Sequence, residues 1–131
     1  MYLGVFSDEE KSAFFSLAKS LVNSDNVVAE NEVALLNQYL VEMGMDITQI
    51  IPLSFDESID VFCHSELTTR RKVYVELFGL AMCDSDFAQE EKELLLTIAD
   101  KLDISEQAQS DIQNCVIDLL AVYSRMNELV K

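Results

Sequence analysis

The chain has 131 residues, half of them apolar, and its 24 acidic residues outnumber 9 basic ones for a formal net charge of -15. This length predicts one domain with a sizeable core, and the apolar content argues against disorder. The acidic field repels phosphate backbones and anionic membranes, so we expect no nucleic-acid or membrane partner. The charge either serves solubility alone or also attracts cations and basic surfaces.

The sequence has no feature of export or membrane insertion. Its start, MYLGVFSDEE, lacks the basic segment and long apolar run of a signal peptide. No apolar run reaches the roughly 18 residues that a membrane helix needs. Cys63, Cys83 and Cys115 are odd in number and far apart, which indicates reduced thiols. We therefore expect a cytoplasmic protein.

Turn-forming residues are scarce, because the chain holds only three Gly and one Pro, and this scarcity favours long helices. Ser7 and Glu10 form a capping-box pattern, which predicts a helix start there. Apolar residues at helical spacing then predict a helix over about 8–23. A polar break follows, and a second helix is expected over about 29–43, ended by Gly44 in the left-handed conformation.

A connector over 45–53 follows, and its Pro52 disfavours helix in the residue before it. A second capping box, Ser54 with Glu57, predicts a short third helix. The fourth helix, over about 67–83, is apolar on nearly every side, which is typical of a central helix. Gly79 lies within it, and we expect close packing of another helix there.

A fifth helix is expected over about 88–102 and a last one over about 110–130, after a short turn that starts at Ser105. Two neighbouring apolar stripes in the last helix predict that it packs on the core. The first stripe also has the 3-4 spacing of a coiled-coil seam, so homodimerisation through this helix is an alternative. Its members are Ile112, Cys115, Leu119, Val122, Met126 and Leu129.

The segment 21–46 has a second copy at 80–105, displaced by 59 residues without a gap. Six of the 26 aligned pairs are identical, and they include Asp25 with Asp84 and Glu32 with Glu91. A repeat of this kind predicts two related helix-turn-helix units. The sequence therefore predicts an all-α domain over 1–131, of six to seven helices, built from two related helical hairpins. The internal repeats span about 8–46 and 67–105, and the C-terminal helix spans about 106–130.

The phrases LAKSLVNSDNVVAENEVALLNQYLVEMGM and ELFGLAMCDSDFAQEEKELLLTIADKLDIS resemble the two halves of the TerB family, the helical domain named for bacterial tellurite-resistance operons. The family pattern is Leu-Ala, then Ala-Asp-Gly, then a Glu seven residues after the Asp. The Gly is replaced here by Asn26 in copy one and by Ser85 in copy two. The resemblance implies an all-helical, non-enzymatic domain in bacterial stress response or metal-ion handling.

The paired carboxylates are the strongest candidates for a binding site. Each Asp ends one helix and each Glu begins the next, so a hairpin brings them together, and hard cations prefer several such oxygens. The candidate ligands of a divalent cation are Asp25, Glu32, Asp84, Asp86 and Glu91. The alternative is a structural role, in which each Asp caps the following helix. Each Glu is then stabilised by the helix dipole or accepts hydrogen bonds from loop amides.

Two other clusters are weaker candidates. Arg70, Arg71 and Lys72 begin the fourth helix, where the dipole disfavours cations. We expect them to pair with acidic groups of the domain or, alternatively, to contact a partner or an anion. Cys63 and His64 are adjacent but lack the further ligands of a zinc site.

The remaining cysteines, Cys83 and Cys115, occur in apolar helical contexts. A free Cys in such a context is usually a small buried hydrophobe, so we expect both to be buried. No nucleophile with an adjacent base is present, so we do not expect an enzyme. The sequence therefore favours a TerB-like stress-response domain that binds or senses a divalent cation. The alternative is a protein-protein interaction module with an unidentified protein partner, in which the acidic loops are purely structural.

Overall fold

The protein is all-α over residues 1–22, 30–82 and 89–131, which a computed structural model describes, apart from the side chains of 30–33. The predicted helical fold is confirmed, and no strand occurs within these ranges. The helices are α1 (Asp8–Val22), α2 (Glu30–Met43), α3 (Phe55–Cys63), α4 (Leu67–Ala81), α5 (Gln89–Lys101) and α6 (Glu106–Leu129). Short 3-10 turns occupy Leu3–Val5 and Ile47–Gln49.

Both predicted capping boxes are confirmed. At the start of α1, the Ser7 amide donates to Glu10 Oε1 at 2.9 Å, and the Glu10 amide donates to Ser7 Oγ at 3.2 Å. Ser54 and Glu57 make the same reciprocal pair at the start of α3. Each box satisfies amides that the first turn of a helix leaves without an intrahelical acceptor.

The core forms around α1 and α4, which contact each other and most of the remaining helices. The prediction that α4 is central is therefore confirmed, and α1 shares that position. Aromatic rings link these elements, since the Phe14 ring meets Tyr39 at 5.4 Å and Phe6 at 6.1 Å between centroids. The largest side chains with almost no exposure include Tyr74, Phe14, Phe62, Leu17, Leu21, Leu77 and Leu80.

A buried carboxylate ties the N-terminal segment to α4. Glu76 is buried, and its Oε1 accepts from the Tyr2 amide at 2.9 Å and from the Met1 ammonium at 3.1 Å. Partial burial opposes the charge of the Met1 ammonium, but its bonds to Glu42 and Glu76 outweigh that effect and raise its pKa. The buried charge of Glu76 is therefore compensated by a cation and an amide.

Helices α2 and α5 end alike. Gly44 has φ 68° and Asp103 has φ 58°. In each case the next amide, of Met45 or Ile104, bonds back to the carbonyl five residues earlier. This is a Schellman motif, and the predicted left-handed Gly44 is confirmed.

The expected close packing at Gly79 is wrong, whereas the predicted start of the last helix is confirmed. No described atom lies within 4 Å of the position that a Cβ on Gly79 would take, so Gly79 does not serve close packing of the described helices. The last helix begins at Glu106, in agreement with the predicted span of about 106–130. The short turn expected to start at Ser105 is the first turn of this helix, because Ser105 Oγ accepts from the Ala108 amide and caps it directly.

Candidate functional site

The predicted cation ligands lie mostly outside the described part of the chain. This applies to Asp25, Asp84 and Asp86 and to the side chain of Glu32. Glu91 is described: it lies in the first turn of α5 and is only 3% exposed. The helix dipole stabilises an acidic side chain in the first turn. The position of Glu91 is therefore consistent both with a role in stabilising the helix start and with a role as a cation ligand. The convergence of the five carboxylates stays a prediction.

Elsewhere the described residues provide no alternative metal site. No group of three His, Cys, Asp or Glu side chains among them is placed to hold a metal ion. Cys63 Sγ donates to the Lys101 carbonyl at 3.5 Å, and His64 Nδ1 lies 2.8 Å from the Asp60 carbonyl oxygen. These contacts are with backbone at helix ends, which is a structural use of both side chains.

The basic cluster at the start of α4 does not pair as expected. None of its three cations forms an ion pair with a described carboxylate. Instead Arg70 donates to the Leu102 carbonyl at 2.8 Å, and the Lys72 ammonium lies 5.6 Å from the centre of the Tyr2 ring. Arg70 thus places its charge at the C-terminal end of α5, where a helix dipole favours a cation.

An apolar groove, which sequence analysis missed, lies between α1, α2 and the connector 45–53. It consists of two adjoining cavities of about 550 and 540 Å³ that share Phe15, Lys19 and Ile47. The remaining apolar wall comes from Leu36, Leu40, Val41, Met45, Ile50, Ile51, Pro52 and Leu53. We call this surface the α1–α2 groove.

Side chains of α1 fix the connector wall of this groove. The Ile51 amide donates to Ser12 Oγ at 3.0 Å, and Ser16 Oγ donates to the Leu53 carbonyl at 2.8 Å. Ser12 and Ser16 lie one helical turn apart, so they hold the connector along the axis of α1. Because these bonds satisfy the Ile51 amide and the Leu53 carbonyl, the part of the connector after the 3-10 turn Ile47–Gln49 can present apolar side chains without regular secondary structure.

The groove leaves large apolar side chains in water. Val41 is 81% exposed, Ile47 54% and Ile51 56%. Lys19 is the lining cation, and it forms no ion pair with a described residue. The sequence signal for this surface was the run of apolar residues 50–53 in a segment without helical periodicity.

A second apolar surface follows α6. Val116 is the buried residue of this helix, while Leu119, Val122, Tyr123, Met126 and Leu129 are all exposed. The prediction that both stripes of the last helix pack on the core is therefore wrong for its C-terminal half.

The two cysteines that were expected to be buried have different outcomes. The prediction is wrong for Cys115, whose side chain is exposed on α6. Cys83 lies outside the described residues, so its burial stays a prediction.

Comparison with known proteins adds no relative: no family model, curated protein or solved structure matches the chain. The resemblance to TerB therefore depends on the two quoted phrases. Within the described ranges, no helix is both long and apolar enough to cross a bilayer.

Proposed function

We propose that this chain is a non-enzymatic, TerB-like helical domain of bacterial stress response that binds a short amphipathic segment of another protein. The observation that supports this function is the α1–α2 groove, whose apolar side chains lie in water although the rest of the domain has a well-formed core. Exposed contiguous apolar surface of this kind marks interaction sites.

The groove defines the chemistry of its partner. An amphipathic helix that fills such a groove presents apolar anchors at i, i+3 or i+4, and i+7. Lys19 lies at the shared middle of the two cavities, so an acidic residue flanking the central anchor complements it. The surrounding negative charge of the chain disfavours peptides with further acidic residues, so the preferred partner carries one carboxylate among neutral or basic residues.

Selection from a displayed library of helical peptides tests this proposal. We expect the selected peptides to lose about tenfold or more in affinity for Ile47→Glu and Ile51→Glu variants, because each change places a charge in an apolar contact. The matched control is Leu96→Glu, since Leu96 is 60% exposed on α5, outside the groove. Lys19→Glu should weaken acidic peptides by about two- to fivefold, the worth of an exposed ion pair. Peptides that bind all these variants equally would contradict the proposal.

A second candidate function is divalent-cation binding by Asp25, Glu32, Asp84, Asp86 and Glu91. The observation that supports it is the recurrence of an Asp and a Glu seven residues apart in both copies of the repeat, because hard cations prefer several carboxylate oxygens. Calorimetric titration with calcium, magnesium, manganese and zinc tests it, with an Asp25→Asn, Asp84→Asn double variant as the negative control. No heat and no thermal shift at millimolar metal would contradict cation binding.

A further inference from the structure

The C-terminal half of α6 extends beyond the core with an apolar face that no described element covers. Exposure along this face ranges from 37% at Leu119 to 83% at Leu129. Leu119, Val122, Met126 and Leu129 continue the 3-4 spacing that starts at Ile112 and Cys115. We call Cys115, Leu119, Val122, Met126 and Leu129 the α6 seam.

The seam begins one turn after Ile112 and lies beside and beyond the residues by which α6 is attached to its own domain. Ala108, Ile112 and Leu120 pack against the core beside the buried Val116. Gln113 Nε2 also donates to the Tyr74 hydroxyl oxygen of α4 at 2.7 Å. Burial raises the pKa of Tyr74, which the bond from Gln113 only partly offsets, so the hydroxyl stays protonated. The seam can therefore be covered by a partner without displacing α6.

The charge along this part of α6 differs from that of the whole chain. Residues 112–131 contain Asp118 and Glu128 against Arg125 and Lys131, so they are formally neutral in a chain of net charge -15. Two copies that meet along these residues therefore add no net like charge at their contact, although each chain as a whole is strongly acidic. At physiological ionic strength the Debye length is about 8 Å. Salt therefore screens the remaining repulsion between the acidic helical domains of the two copies.

The two charges flanking the seam select the relative direction of the helices. Asp118 and Arg125 lie on the same side of the seam, seven residues apart, at successive g positions when Leu119 is an a position. In an antiparallel pair the g positions of both helices face each other. Asp118 then lies opposite Arg125 of the second copy, and Arg125 lies opposite Asp118 of the second copy. In a parallel pair, g faces e, and these charges would face Tyr123 and Val130.

We propose that the chain forms a two-fold symmetric dimer in which the α6 seams of two copies pack antiparallel. Leu119 then lies against Val122 of the second copy, and Cys115 lies against Met126 of the second copy. The overlap of the paired seam residues, from Cys115 to Met126, is about 17 Å long at 1.5 Å per residue. The two domain bodies lie at opposite ends of the pair. This proposal is independent of the α1–α2 groove.

Disulfide trapping tests the direction of the helices. In a Cys63→Ser, Cys83→Ser background, the remaining Cys115 residues of an antiparallel pair are far apart, so mild oxidation should leave the protein uncrosslinked. Adding Met126→Cys should give a crosslinked dimer in which mass spectrometry finds Cys115 joined to the new cysteine. Links between identical positions, which a parallel pair brings together, would overturn the proposal.

Sedimentation equilibrium of the full chain tests the seam itself. Val122→Glu should weaken association about tenfold or more, and the control Ser124→Glu, which adds the same charge off the seam, should not. Asp118→Arg should weaken it about two- to fivefold, and Asp118→Arg combined with Arg125→Asp should restore it. Circular dichroism checks that each variant is folded.

A chain that stays monomeric at concentrations on the order of 1 mM would overturn the proposal. So would a dimer that Val122→Glu leaves intact. A dimer that Ile47→Glu weakens as much as Val122→Glu would indicate instead that α6 of one copy occupies the α1–α2 groove of the other, and this outcome also overturns the antiparallel seam.

Discussion

The segments 8–46 and 67–105 are alike in their helices and differ in the structure that comes directly after each of them. Leu67 lies 59 residues after Asp8, Ala81 lies 59 after Val22, and Gln89 lies 59 after Glu30. Gly44 and Asp103, also 59 apart, both have positive φ at the end of a Schellman motif. Three of the four helix bounds thus recur at the offset of the sequence repeat, and the fourth, Met43 against Lys101, differs by one residue.

The two segments diverge after Asp46 and its repeat equivalent, Ser105. Asp46 caps only the short 3-10 turn Ile47–Gln49, whereas Ser105 caps the 24-residue α6. Pro52 follows closely in the first case and disfavours helix before it, while no proline follows Ser105. The same Schellman motif is therefore followed in the first half by a connector that is hydrogen-bonded to α1. In the second half it is followed by the long helix α6. Each of these different segments forms one of the two exposed apolar surfaces.

The largest expected effect tests whether the two halves share one core. Leu21 and Leu80 are equivalent in the repeat, and both are fully buried. We expect Leu21→Ala and Leu80→Ala each to lower the free energy of unfolding by about 2–5 kcal/mol, because each deletes buried methyl groups and leaves a cavity. Urea denaturation measures this, with the exposed Leu96→Ala as control. Two separate transitions in either variant would show that the halves unfold independently.

The two helix stops should differ in their response to substitution. Gly44→Ala should destabilise the domain by about 1–2 kcal/mol, because a Cβ is strained at positive φ. At the equivalent site Asp103→Gly should stabilise it by less than about 1 kcal/mol, since Asp tolerates this conformation better than most residues. Thermal denaturation of both variants checks the signs. Equal effects of the same sign would contradict the shared motif.

Gly79 and its repeat equivalent Ser20 provide a smaller test. Gly79→Ala should stabilise the domain by about 1 kcal/mol, because a helical Gly costs that much and the described surroundings leave room for a methyl group. Ser20→Ala should increase the stability less, because it removes the hydrogen bond that Ser20 Oγ donates to the Ser16 carbonyl at 3.1 Å. Loss of stability in the Gly79 variant, measured by urea denaturation, would indicate that a close neighbour is present.

The smallest effect concerns the different starts of α1 and α4. Burial opposes ionisation of Glu10, but bonds from the Ser65 hydroxyl and the Ser7 amide outweigh it and hold its pKa below the ordinary 4.5. A lowered pKa stabilises the fold above pH 4.5, and this contribution is lost as pH falls from there through the lowered value. Glu10→Gln should therefore flatten the decline of stability with acid. Glu9→Gln, at an exposed neighbour, is the control and should not.

At α4 the corresponding cap is missing, because Glu66 makes no side-chain bond to the helix. The unfavourable charge of Arg70 near this start is evident from the sequence, but its acceptor is not. The Leu102 carbonyl is 32 residues away in the chain, and no local pattern connects the two. Of the candidate cation site, the sequence placed Glu91 at the start of a helix, but its burial depends on the packing of α5 against α1, α3 and α4.

The sequence by itself determined the order of the helices, both capping boxes and the left-handed stop at Gly44, because these features depend on residues within a few positions of one another. Only the tertiary structure decided which apolar residues remain in water. The connector 50–53 and the α6 seam have the apolar composition of core segments. Whether such residues are buried depends on distant elements that cover them. Here Ser12 and Ser16 hold the connector at the surface, and α6 extends beyond the helices against which its first half packs.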